Sequence, residues 1–193
     1  MKVTSSVLEQ GRRVWLMRYF LLMIAVVMLV GCGTTSWTSD PNDPNNVKIE
    51  KAIRESLEKS TGELTKTDLE KVKKVVLWTK HLTDVSALIR VKNAEHLDLA
   101  NNRLTDLSPL EGLTQLTWLR LSGNRQLTDK QLKHLAGLKR LETLSLSHNE
   151  LSDVSPLMGL KCLKTLWIDN NPNLTKAPVA ELQKELPNCR IIS

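Results

Sequence analysis

Catalytic motifs are missing from this sequence. It has no HExxH pair, no nucleophile elbow, no phosphate-binding glycine loop and no pair of carboxylates placed by a motif. Neither the cysteines nor the histidines have the spacing that is typical of metal ligands. The histidines are His81, His96, His134 and His148. These absences argue against an enzyme, a bound cofactor and a metal centre.

A basic stripe of the kind that binds nucleic acid is missing as well. Of the 27 lysines and arginines, four lie in residues 1–31, which hold one of the 21 acidic residues. Residues 32–193 therefore carry 23 basic and 20 acidic side chains, spread along the chain. We expect no nucleic acid among the partners.

No apolar run is long enough to cross a bilayer. The run from Phe20 to Val30 has eleven residues, whereas a spanning helix needs roughly 20, and Arg18 stops the run from extending backwards. Basic residues before such a run and a small residue after it are typical of a secretory signal. Residues 1–31 are therefore predicted to be a signal peptide.

The residues at the end of this run are Leu29, Val30, Gly31 and Cys32. They resemble the lipobox of bacterial lipoprotein signals. The resemblance implies lipidation of the Cys32 thiol, cleavage before it, and an exported protein anchored to the cell envelope, in the outer membrane if the cell has two membranes. The alternatives are an ordinary signal peptide with an incidental cysteine and an uncleaved anchor. Translation from Met17 would give a shorter signal and the same mature chain.

Two segments follow the cysteine before any repeat begins. Residues 32–45 are rich in Thr, Ser, Asp, Pro and Asn, a composition that predicts a flexible tether. Residues 46–71 predict a helical cap, with Asn46 as the N-cap of an amphipathic helix whose apolar residues recur every four positions. Thr65 and Asp68 predict the start of a second, short helix.

The rest of the chain, residues 72–193, is built from repeats. Four segments follow the pattern LxxLxLxxN with a leucine just beyond, and a degenerate unit stands at each end. The asparagines of the four segments are 22, 25 and 22 positions apart, and they are Asn102, Asn124, Asn149 and Asn171. The pattern predicts six turns of a coil.

These repeats resemble the leucine-rich-repeat family, specifically its short, internalin-like bacterial members. The resemblance covers residues 46–193. It implies an α/β fold, a solenoid with a short parallel β-sheet on its concave side, and a ladder of buried asparagines. An amide side chain suits that ladder because it donates and accepts hydrogen bonds at once. Lys80 replaces the asparagine in the first unit and cannot do both, so an irregular turn is expected there.

Several polar residues in the repeats receive structural interpretations. Ser108 and Ser155 each precede a proline and are read as helix caps. Thr128 and Gln131 predict a capping box at a true helix in the 25-residue unit. A disulfide between Cys162 and Cys189 and two free thiols both remain open, because sequence does not give the distance between them.

The side chains between the repeat leucines should face outward on the concave side, because side chains alternate along a strand. The predicted ligand-binding residues are Trp78, Asp98, Trp118, Arg120, Ser145, His148, Trp167 and Asp169. The other outward positions are Lys74, Val76, His96, Ala100, Ser122, Thr143, Ser147 and Thr165. Three of the four tryptophans in residues 32–193 fall in this set, and tryptophan is enriched where interfaces bind most strongly.

The function predicted from these features is that of a membrane-anchored binding module. Its concave face would hold a protein or peptide ligand, while Cys32 would attach it to the membrane. A structural envelope lipoprotein without a concave-face ligand is the alternative, in which the large side chains merely fill the concave face. Sequence gives no identity for the ligand, because a fold does not fix its partner.

Overall fold

The computed structural model describes residues 36–193. The predicted signal peptide and Cys32 lie outside this range. Within it, no helix combines the length and the apolar character needed to cross a membrane.

The first helix of the cap, α1, spans Pro44–Ser56. Its N-cap is Asp43, whose Oδ1 accepts hydrogen bonds from the backbone N–H groups of Asn45 and Asn46. The prediction of Asn46 as the cap is wrong because the aspartate before Pro44 already satisfies these donors, and proline suits the first helical position. Ile49 and Ile53 are fully buried, so α1 covers the end of the repeat core.

The second helix, α2, spans Lys66–Lys71. Its predicted capping box is confirmed, since the Thr65 side chain accepts from the Asp68 N–H and the Asp68 carboxylate accepts from the Thr65 N–H. Lys59 Nζ also lies 2.7 Å from Asp68 Oδ2. The hydrogen bond from Lys59, followed by those from Thr65, holds the pKa of Asp68 well below its usual range.

The segment predicted as a flexible tether is folded from Trp37 onward. Trp37 is only 7% exposed, and its backbone N–H donates to the Leu64 carbonyl at 2.8 Å. The Arg90 guanidinium lies 5.3 Å from the centroid of the Trp37 ring. The Ser39 N–H donates to Glu50 Oε2 at 2.6 Å. The prediction is wrong there because burial of one indole gains enough free energy to order the polar residues around it.

Six short strands form one parallel sheet in chain order. They are β1 Lys74–Val76, β2 His96–Asp98, β3 Trp118–Arg120, β4 Thr143–Ser145, β5 Thr165–Trp167 and β6 Arg190–Ile192. Each strand pairs with the next through its central apolar residue, as Leu97 does with Leu119. The predicted leucine-rich-repeat solenoid with a parallel sheet is therefore confirmed.

The chain returns between strands through short helical turns that pack leucines against the sheet. Four are 3-10 turns, at Ser86–Arg90, Ser108–Leu110, Lys133–Leu135 and Ser155–Leu157, and two are α-helices, α3 at Asp129–Leu132 and α4 at Lys176–Glu185. Between the two layers lies a continuous core in which nearly every repeat leucine is fully buried.

The four ladder asparagines are buried beside the ends of the strands. Asn102 Nδ2 donates to the carbonyls of Leu77 and Leu99, both at 2.9 Å, and its Oδ1 accepts from the N–H groups of Lys80 and Leu82. Each such asparagine bonds carbonyl groups of its own repeat and of the preceding one, as Asn171 does with Ile168 and Leu146. The amides thus satisfy backbone groups that face no water.

The ladder is incomplete at the 25-residue repeat. Asn149 Nδ2 donates to the Leu121 and Leu146 carbonyls, but Asn149 Oδ1 is buried without a hydrogen-bond partner among the described residues. The N–H of Leu127, the corresponding donor of the preceding repeat, bonds instead to the Asn124 carbonyl at 2.8 Å. The three additional residues therefore change the local turn as well as the length of the loop.

Three residues predicted as caps in the repeats do not cap helices. Ser108 and Ser155 do not cap helices; each lies inside a 3-10 turn and donates both its N–H and its hydroxyl to the aspartate two positions before, Asp106 or Asp153. The short side chain of each aspartate lies close enough to accept both hydrogen bonds, so the serine does not bond to the backbone of a helix start. Thr128 makes no capping hydrogen bond.

The partner predicted for Thr128, Gln131, is used elsewhere. Gln131 Oε1 accepts from the Leu107 N–H at 3.2 Å, so this side chain joins two repeats and leaves the helix start uncapped. The cysteines Cys162 and Cys189 are both free, the first exposed and the second buried. Burial raises the pKa of the Cys189 thiol.

The first repeat is irregular at the predicted place. In the regular units one residue directly before the ladder asparagine has a positive φ, as Asn101 does at 55°. Around Lys80 there are two such residues, Thr79 at 54° and His81 at 55°. A β-branched residue rarely adopts this conformation, so the turn that lacks an asparagine side chain is strained.

Candidate ligand-binding face

The concave face is the outer surface of β1 to β5. Because neighbouring strands pair in register, the outward side chains form rows across the sheet, with neighbours about 4.8 Å apart. One row contains, from β1 to β5, Val76, Asp98, Arg120, Ser145 and Trp167. The row before it begins with Lys74 and contains His96, Trp118, Thr143 and Thr165.

The N-terminal half of this face is aromatic and apolar. A concavity of about 430 Å³ is lined here by Lys74, Val75, Val76, Trp78, His96, Asp98, Trp118 and Arg120. The exposed fraction is 55% for Trp78 and 37% for Val76. The rings of His96 and Trp118 are stacked with their centroids 6.5 Å apart. The N-terminal half thus leaves a large indole largely open to solvent.

One ion pair lies between the two halves of the face. Arg120 Nη1 is 3.7 Å from Asp98 Oδ2, and the arginine side chain is 46% exposed while the aspartate is 15% exposed. A pair this open to solvent adds little stability. It does place a guanidinium with free donors next to the Trp118 ring, on the same strand.

The C-terminal half of the face has a floor of hydroxyl groups. A second concavity of about 360 Å³ is lined by Trp118, Arg120, Ser122, Thr143, Ser145, Ser147, His148, Trp167 and Asp169. The hydroxyls of Ser122 and Ser145 are hydrogen-bonded to each other. The Ser147 hydroxyl and the Asn170 amide donate to Asp169, and the Ser147 bond is the foremost reason that the pKa of Asp169 is lowered.

All eight residues predicted from sequence to bind a ligand line one or both of these concavities. Trp118 and Arg120 belong to both, so the two halves form a continuous surface. Ser122 and Ser147, predicted to face outward, are only 7% exposed, and Ala100 is 1% exposed. The prediction that these three side chains are exposed on the face is therefore wrong.

Residues of α1 also border the face, which the repeat pattern does not predict. Two further concavities, of about 310 and 130 Å³, continue the surface from β1 onto the helix. Their helical lining residues are Lys48, Lys51, Ala52, Glu55 and Ser56. The charged residues of α1 are the sequence feature that could have indicated this surface. Sequence alone does not say which side of a capping helix lies beside the sheet.

Several polar groups of the face are hydrogen-bonded to one another. The Ser147 hydroxyl donates its proton to the Asp169 carboxylate. An ionised carboxylate only accepts hydrogen bonds, so the two groups have fixed roles as donor and acceptor. Among residues 36–193 no three His, Cys, Asp or Glu side chains are grouped in a way that could hold a metal ion. Hydrogen bonding and stacking are the chemistry that these side chains can offer.

Comparison with known proteins places this architecture among leucine-rich repeats. A family model described as "Leucine Rich repeats (2 copies)" matches residues 95–136 and 139–184. Leucine-rich repeat-containing protein 23 from Bos taurus and from Homo sapiens is 39% identical over 66 residues, which are 34% of this chain and 19% of those proteins. The match therefore spans less than a fifth of the length of these relatives.

Solved structures agree on the fold. An internalin from Listeria monocytogenes superposes with a TM-score of 0.66 at 27% identity, over 75% of this chain and 42% of the internalin chain. A leucine-rich-repeat protein from Leptospira interrogans superposes with a TM-score of 0.52 at 23% identity, over 65% of this chain and 38% of its own. This chain thus contains leucine-rich repeats and has an internalin-like leucine-rich-repeat fold.

Proposed function

We propose that this protein is a membrane-anchored binding module that holds a protein or peptide ligand on the concave face of its leucine-rich repeats. The observation that carries the proposal is the presence of Trp78, Trp118 and Trp167 on one open surface, where Trp78 is 55% exposed. The fold supports the same conclusion at a coarser level, since leucine-rich repeats generally serve as protein-interaction modules.

An indole that stays in water gains no free energy from burial. An exposed tryptophan contributes little to folding, whereas an indole buried at an interface removes a large apolar area from water. Trp118 and Trp167 lie on β3 and β5, about two strand spacings or roughly 10 Å apart. One ligand of peptide size could contact both rings and also the free donors of Arg120, which lies on β3 with Trp118.

The proposed anchor is Cys32, which lies outside the described residues. Lipidation of its thiol would hold the exported domain at the cell envelope, in the outer membrane of a cell that has two. The support is the sequence Leu29-Val30-Gly31-Cys32 at the end of an apolar run that is too short to span.

The alternative is a structural envelope lipoprotein with no ligand on this face. One observation favours it: the Trp118 ring is stacked on His96, and Trp118 and Trp167 are both partly buried. On this hypothesis the indoles fill the concave face and support their neighbours.

Alanine substitution of the two indoles separates the hypotheses. The full-length protein is immobilised in detergent and used to capture partners from envelope extracts, beside Trp118→Ala, Trp167→Ala and an exposed control, Lys92→Ala. If the face binds a ligand, each tryptophan substitution weakens the binding of a captured partner by about 2 kcal/mol or more, roughly thirtyfold. The melting temperature of the variant stays unchanged. Partners that survive both tryptophan substitutions together, with a lowered melting temperature, would support the structural alternative.

A further inference from the structure

Four lysines surround the N-terminal end of the concave face. Lys48 and Lys51 lie on α1, Lys74 lies on β1, and Lys80 follows that strand. Each of the four lines at least one of three adjoining concavities at this end. The first and second concavities share Lys74 and Val76, and the second and third share residues of α1. We call these four lysines the basic rim.

The positive charge of the basic rim is not neutralised within the described domain. Among residues 36–193 none of the four ammonium groups forms an ion pair, whereas other lysines pair with carboxylates. Lys73, next to Lys74, is one of those, since its Nζ lies 2.7 Å from Glu95. The acidic residues that line these concavities are Glu55 and Asp98, and Asp98 already faces Arg120.

The surface inside the basic rim is apolar. Val76 and Trp78 are exposed there, and Ala52 of α1 lines the same concavity as Val76. Residues 32–193 as a whole carry only three more basic than acidic residues. The excess at this end of the face is therefore local, and it coincides with the most exposed tryptophan of the described chain.

We propose that this end of the concave face receives an acidic segment of the partner, with an apolar side chain against Val76 and Trp78 and carboxylates against the basic rim. The inference rests on the proposed function and adds the chemistry of the ligand. Charge complementarity selects the occupant: unpaired ammonium groups around an apolar floor attract carboxylates and repel basic segments. A flat bilayer fits this place less well, because the indole lines a concavity of the sheet, and α1 borders the concavity next to it.

A phage-displayed library of random peptides, selected on the immobilised full-length protein, tests the proposal. The selected peptides should be enriched in Asp and Glu next to aromatic or aliphatic residues. Selection is repeated on the variant Lys48→Glu, Lys51→Glu, Lys74→Glu, Lys80→Glu. The matched control makes the same change of charge elsewhere, at exposed lysines: Lys92→Glu, Lys130→Glu, Lys133→Glu, Lys176→Glu. Circular dichroism melting checks that both variants fold.

We expect the rim variant to bind the acidic peptides at least about tenfold more weakly, and the control variant to bind them as the wild type does. Added salt should weaken wild-type binding and have less effect on the rim variant. Selected peptides without an acidic excess, or acidic peptides that bind the rim variant as well as the wild type, would show that the inference is wrong.

The same selection separates this inference from the proposed function. Peptides that lack an acidic excess but lose binding to Trp118→Ala would keep the proposed function and remove the acidic ligand. A library that yields no peptide above the uncoated support would remove both. The Cys32→Ala protein could instead bind phosphatidylglycerol vesicles. If the rim variant loses that binding while its peptide selection is unchanged, the rim is assigned to a lipid surface. A rim-dependent dimer in sedimentation would assign it to a second copy of the chain, and either result would overturn the proposal.

Discussion

The asparagine ladder shows how much one side chain can do at a fixed position. Asn102 satisfies the N–H groups of Lys80 and Leu82 and the carbonyls of Leu77 and Leu99. Asn149 occupies the same slot but its Oδ1 has no partner among the described residues. The repeat pattern predicts equal roles for the two, while the 25-residue unit makes them unequal.

This difference gives a prediction for stability. Asn102→Ala should lower the free energy of unfolding by about 2 to 3 kcal/mol, because it leaves buried donors and acceptors unpaired, whereas Asn149→Ala should cost nearer to about 1 kcal/mol. Urea denaturation midpoints with unchanged slopes measure both. The exposed neighbour Arg103→Ala should stay within about 0.5 kcal/mol. Equal losses for the two asparagines would mean that the hydrogen-bond count does not set their contribution.

At the scale of elements, the two helices of the cap are held by different interactions. The Asp68 carboxylate joins the start of α2 to Lys59 and to Thr65, while α1 is fixed by Ile49 and Ile53 in the core. Sequence predicted both helices of the cap. It did not predict that Trp37 would pack beneath them.

The lowered pKa of Asp68 predicts acid sensitivity of the cap. A carboxylate whose folded-state pKa lies below its ordinary value of 3.8 stabilises the protein above that value. The contribution is lost as the pH falls from there towards the folded-state pKa, because the unfolded chain takes up a proton that the folded protein does not. Between about pH 6 and pH 3 the urea midpoint of the wild type should therefore drop more than that of Asp68→Asn. The same drop in both proteins would place the acid sensitivity elsewhere, for example at Asp106 or Asp169, whose pKa values are also lowered.

At the scale of the whole molecule, the proposed anchor and the folded domain are close in the chain. Since Trp37 is buried in the core, the tether of residues 32–45 is shortened at its far end, and only Gly33 to Ser36 lie between Cys32 and the folded part. On the anchor hypothesis, four residues of the chain therefore separate a lipid at Cys32 from Trp37.

The anchor itself is open to a direct measurement. Cys32→Ser should abolish incorporation of a radioactive fatty acid into the protein in cells, because no other group is expected to carry the acyl chains. Those chains, at about 0.8 kcal/mol per buried methylene, would provide the membrane affinity. Cys162→Ser, which removes an exposed thiol, is the matched control and should label normally. Equal labelling of the Cys32→Ser protein and the wild type would show that Cys32 is not the attachment site.

The sequence determined the repeats and the general position of the candidate face, because both follow from local periodicity. Leucines every two or three positions must point to one core, and the residues between them must point away. The periodicity alone therefore assigns Trp78, Trp118 and Trp167 to one surface. The capping box at Thr65 follows from contacts three residues apart. Such features need no knowledge of distant neighbours.

The tertiary structure decided what depends on contacts between separate parts of the chain. Trp37 is buried only because Leu64 and Arg90 lie beside it, and Gln131 joins Leu107 because the repeats stack at that distance. The basic rim arises where α1 lies against β1. This packing brings Lys48 and Lys51 of the helix to Lys74 of the strand and to Lys80, which follows the strand. Sequence periodicity describes each element by itself, whereas burial and electrostatic fields are set by the neighbours that folding brings together.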